Sequence, residues 1–113
     1  MDIYHIWCDL KPGVSAADFV AAVHTYLARM RAEDRLSSYR VTRRKLGLAP
    51  AHLKEFHLML EYDGLAQLDR GFTRAASGEE PMNGFHLAVN QKVQNIEFAL
   101  YRDYPDAFSE EPT

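Results

Sequence analysis

The opening stretch Tyr4-His5-Ile6-Trp7-Cys8 alternates two kinds of side chain, and no other feature of the chain constrains its fold as tightly. A β-strand sends successive side chains to opposite faces. His5 and Trp7 therefore share one face, and Tyr4, Ile6 and Cys8 share the other. The alternation returns in residues 55–62, where Phe56, Leu58, Leu60 and Tyr62 oppose Glu55, His57, Met59 and Glu61. It returns again in residues 95–102, with Ile96, Phe98 and Leu100 against Glu97, Ala99 and Tyr101. Such strands make a sheet with one apolar face for helices and one face rich in His, Trp, Arg, Glu and Tyr.

Between the strands lie the helix signals. Lys11-Pro12-Gly13 ends the first strand, Ser15 is the expected N-cap, and Asp18 sits three residues on in the manner of a capping box. Phe19, Val20, Val23, Tyr26, Leu27 and Met30 then recur at helical spacing. Residues 37–46 read as a second, heavily basic strand containing Arg40, Arg43, Arg44 and Lys45, followed by a loop from Gly47 to Lys54. Asp63-Gly64 turns into a second helix carrying Leu65, Leu68 and Phe72. Ser77-Gly78 interrupts it, and a further helical piece starts near Pro81 and includes Phe85, His86 and Val89. The order β-α-β-β-α-β predicts an α+β, ferredoxin-like antiparallel sheet with the helices on one face and the first strand between the third and fourth. Residues 1–104 are expected to form one domain, with 105–113, including Phe108, as a C-terminal tail.

A chain of 113 residues supports a single core. Sixteen acidic residues against 13 basic ones give a formal charge of −3, the wrong sign for a phosphate-neutralising surface, so no nucleic-acid partner is expected. No apolar run is long enough for a membrane span, and no membrane partner is expected. One cysteine, Cys8, allows no internal disulfide; its strand parity predicts burial, and a reducing, cytoplasmic compartment fits it. Trp7, Met59 and Tyr101 are too apolar to leave their sheet face in water. A second copy of the chain is the expected cover, since most soluble oligomers are symmetric homo-oligomers.

The stretch from His5 to Val23, with its Lys11-Pro12-Gly13-Val14-Ser15 turn into a helix, resembles the dimeric α/β-barrel superfamily and in particular its stress-responsive group. The resemblance implies two sheets packed through their polar-aromatic faces as a barrel across a homodimer. It implies no single activity, since the superfamily spans cofactor-free monooxygenases, muconolactone-isomerase-like proteins, haem-handling enzymes and domains of no known reaction. By analogy with the haem-handling members, His86 could approach a bound macrocycle, although a lone helical histidine is more often structural.

His5, His57 and Tyr101 are the candidate catalytic residues on that face. An imidazole titrates near neutrality, and a carboxylate such as Glu61 or Glu97 could fix its tautomer for general-base work. The plainer alternative is that these groups satisfy one another in a buried interface. Trp7, Arg40, Met59, Glu61 and Glu97 are the candidate ligand-binding residues, Trp7 for stacking and Arg40 for an anionic group. Without His-x-His, His-Glu-x-x-His or a cysteine pair, no metal is expected, and no cofactor motif occurs. Two functions remain open. One is a binding module with a small-molecule pocket on the sheet face. The other is a cofactor-free monooxygenase or isomerase acting on a small aromatic or cyclic substrate.

Overall fold

In a computed structural model of the chain, residues 1–105 are described. The strands are β1 (Asp2–Leu10), β2 (Ser38–Arg43), β3 (Phe56–Tyr62) and β4 (Val93–Arg102), and the helices α1 (Ala16–Ala32), α2 (Leu65–Ala76) and α3 (Met82–Asn90). The strands form one antiparallel sheet in the order β2-β3-β1-β4, so β1 is central as its sequence predicts. The expected tail lies, beyond Pro105, outside the described residues.

Local chemistry sets the elements. Ser15 caps α1 by accepting the Asp18 N–H at 3.0 Å, and Arg29 and Arg31 in the last turn complement the helix dipole. Phe19, Val23, Leu27 and Met30, one face of α1, are fully buried. They meet Cys8, Phe56, Leu58, Leu60 and Tyr62 from the inner face of the sheet, and Phe19 sits edge-on to Phe56 with centroids 5.0 Å apart. Asp2, buried at the start of β1, is paired across the sheet with Arg102 and accepts hydrogen bonds from its guanidinium. That pair fastens the first strand to the last.

Two differences from the sequence reading matter. The basic second strand ends at Arg43, earlier than residue 46, because a turn closes where the Leu48 N–H donates to the Lys45 carbonyl at 2.9 Å. The last strand begins at Val93, two residues sooner than its alternation suggests. A bulge causes this. Trp7 pairs with Glu97 but Asp9 with Gln94, so β4 spends an extra residue opposite Cys8, and Asn95 takes a left-handed backbone (φ 54°). The bulge reverses strand parity and places Val93 in the core beside the even-numbered Ile96 and Phe98.

The helices do not cover the sheet evenly. α1 packs against β2, and α2 against β3, while β4 has no helix packed comparably over it. Ile96, Phe98 and Leu100 were expected to lie under a helix. They point to the helix side but stay half-open to solvent, with Phe98 53% and Leu100 51% exposed.

Candidate functional site

On the outer face of the sheet, β1 and β3 bring the two candidate histidines together. His5 pairs with Met59 and Trp7 with His57, so His5 and His57 stand on the diagonal of adjacent strands. His5 Nδ1 and His57 Nε2 lie 2.9 Å apart, one ring donating and the other accepting. Trp7 stacks on His57 at 4.7 Å and on His5 at 5.5 Å, and Tyr101 meets His5 edge-on at 4.9 Å. Four of the sequence-selected residues thus form one aromatic cluster. The carboxylates do not join it. Glu61 accepts a hydrogen bond from the Ser38 hydroxyl, and Glu97 pairs with Lys54 at 3.1 Å. Arg40 is exposed on β2, opposite Met59. The histidines pair with each other, a contact of the kind the plainer alternative describes, and not with a carboxylate.

Desolvation pulls both imidazoles below their ordinary range, and for His57 the charge of a protonated His5 adds to it. The unfolded chain therefore takes up protons first as pH falls. The stability that the neutral pair contributes is present above about pH 6.5 and is lost as pH drops through the lower folded values. Thermal denaturation should show the midpoint falling between pH 7.5 and 5, with a shallower fall in His57→Gln. Equal slopes in the two proteins would place the titration elsewhere.

The inner face holds a different feature. Where the helices leave β4 uncovered, a cleft of about 450 Å³ runs between the sheet and α1, α2 and α3. At its mouth Tyr4 stacks on Phe98 at 5.6 Å and meets Phe72 edge-on at 5.0 Å. Tyr62 lies 6.3 Å from Phe72, and farther along Tyr26 lies 5.5 Å from His86. The rest of the lining is apolar except for Asn90. Among the described residues, the hydroxyls of Tyr4, Tyr26 and Tyr62 and the His86 ring have no hydrogen-bond partner. Burial pushes the Tyr26 phenol up to about 12 and raises those of Tyr4 and Tyr62, so all three stay protonated near neutral pH. They can donate or accept a hydrogen bond but not serve as phenolate bases. Cys8 is buried as its parity predicts, and burial followed by the charges of Asp9 and Glu55 lifts its thiol to about 11, far from a nucleophile's range.

Sequence reasoning assigned Tyr4, Tyr26 and Tyr62 to the core as apolar bodies and missed the cleft they line. The available signal was three tyrosines at inward positions, each bringing a hydroxyl that needs a partner.

Fold and site together define a ferredoxin-like α+β protein with an aromatic outer sheet face and an apolar inner cleft. The chain belongs to the family described as a family of unknown function (DUF6614), whose model matches residues 1–113. No curated protein matches it. Among solved structures, an Arabidopsis thaliana protein matches with a TM-score of 0.71 at 9% identity, over 91% of this chain and 95% of its own. A dimeric ferredoxin-like protein of unknown function from Thermobifida fusca gives 0.59 at 22% identity, over 91% and 92%. A dabb family protein with a ferredoxin-like fold from Mesorhizobium loti gives 0.62 at 14%, over 90% and 95%. At these identities the likeness is one of fold.

Proposed function

We propose that the protein is a homodimeric small-molecule-binding protein of the stress-responsive α/β-barrel type, with its ligand in the inner cleft and its dimer contact on the outer sheet face. The observation that carries this reading is the cleft itself. Its volume suits a ligand of two or three rings, its walls are apolar, and its unpartnered polar groups can orient a hydroxyl or carbonyl. The part-exposed Trp7 and Met59 and the exposed Tyr101 then need a cover, and a second sheet supplies one. Dimeric neighbours of the same fold support that arrangement. No helix among the described residues is long and apolar enough to cross a membrane, and the reading places the dimer in the cytoplasm.

A second reading rests on the 2.9 Å contact between His5 and His57. A neutral imidazole held by its neighbour can take a proton, so a cofactor-free monooxygenase or isomerase could work from the outer face, with Tyr101 as donor and Arg40 drawing an anionic substrate. One experiment separates the two. Titration of 2-naphthol, a planar two-ring phenol, should give saturable binding by calorimetry. Ala75→Phe, which fills the cleft, should weaken it by at least about tenfold, the worth of one well-buried apolar contact. His5→Ala should leave it intact. Binding that survives Ala75→Phe and disappears in His5→Ala would move the site to the outer face.

A further inference from the structure

The basic run divides at the end of β2: Arg43 pairs with Glu55 at 2.7 Å and lies over the Phe56 ring, while Arg44 and Lys45 lead into an unusual loop. From Arg43 to Lys54 the chain carries four basic residues and no acidic one, although the protein as a whole is acidic. Interleaved with the bases are Leu46, Leu48 and Leu53. Leu46 is 80% and Leu48 79% exposed, so both tip leucines stand in solvent. Leu46 also adopts a left-handed backbone (φ 56°), followed by Gly47 (φ 67°), in the turn closed by Leu48 and Lys45. Asparagine or glycine suits that position; a leucine there is strained, and no packing among the described residues offsets the strain. Around the tip, Arg44 donates to the Leu53 carbonyl at 3.1 Å and braces the loop, while Lys45 has no ionic partner among the described residues.

We propose that this loop docks the protein on an anionic lipid surface, with Leu46 and Leu48 entering the acyl boundary and Arg44 and Lys45 resting at the headgroups. The charge pattern selects the partner. Leucines flanked by bases complement a negatively charged, apolar-centred interface. A loop-to-loop contact between two copies would instead set basic residues against basic residues. The contact is a surface one, and it adds a membrane partner to a chain whose overall charge and hydropathy predict none.

The test is co-sedimentation of the whole protein with phosphatidylcholine vesicles containing about 30 mol % phosphatidylserine. Binding should appear at low salt and fade near about 1 M salt, where the screening length shrinks to roughly 3 Å. Leu46→Asn with Leu48→Asn should reduce it by at least about tenfold. This variant eases the backbone at residue 46, so it folds, and its melting temperature should not fall. Lys45→Glu should reduce binding to the charged vesicles as well. Equal binding to vesicles of phosphatidylcholine alone would overturn the proposal, as would no binding at all. Loss of the dimer in the leucine variant would assign the loop to a contact between copies, and salt-sensitive capture of single-stranded RNA in place of vesicles would assign it to nucleic acid. Either result rules out the lipid.

Discussion

Replacing Phe19 by alanine is expected to lower unfolding stability by about 3–5 kcal/mol, the range for removing a large aromatic from a packed core. Phe19 is completely buried and meets Phe56 edge-on, so the helix α1 loses both a packing body and a ring contact. Against a total of about 5–15 kcal/mol, that is a large share. The midpoint of thermal unfolding should fall by roughly 12–20 °C at fixed protein concentration. Phe72→Ala, at the open mouth of the cleft, should cost much less. A small loss at Phe19 and a large one at Phe72 would invert the core described here.

Trp7→Glu should split the proposed dimer. Tryptophan at the centre of an interface is a frequent anchor, and its loss typically costs about 2–4 kcal/mol of association, a roughly 30- to 1000-fold weaker dimer. The new carboxylate would also stand directly across from Glu97 in the β1–β4 register, adding repulsion. Sedimentation velocity should show a dimer for the natural protein and mostly monomer for the variant, with circular dichroism reporting an intact fold. A dimer of unchanged strength would mean that copies meet through another surface.

Much of this architecture is readable from residues. The alternation of His5 and Trp7 with Ile6 and Cys8 assigns both faces of β1, and the same parity brings His57 and Tyr101 beside them. Ser15 and the stripe through Phe19 and Met30 place α1. What parity cannot supply is the cover over a face. Ile96, Phe98 and Leu100 are apolar and inward, yet the cleft exists because the helices sit toward β2 and β3. Helix position follows from packing among α1, α2 and α3, which single-residue patterns do not encode. The histidine pairing was half legible: parity puts His5 and His57 on one face, but not that Glu61 and Glu97, on the same face, are drawn off by Ser38 and Lys54. Leu46 carried no signal either: it read as the last residue of the second strand, and only the turn beyond Arg43 gives it a left-handed backbone.

The bulge at Asn95 decides where this chain can change length. Strand parity runs continuously from Arg102 back to Ile96 and restarts, reversed, at Val93. Deleting one residue there would either carry Val93 out of the core or turn Ile96, Phe98 and Leu100 onto the histidine face, exchanging the walls of two different surfaces. The segment joining β2 to β3 has no such constraint, because residues can be added between Lys45 and Lys54 without moving a single pair in the sheet. Related chains should therefore vary in length in the β2–β3 loop and keep a constant count from Val93 to Arg102.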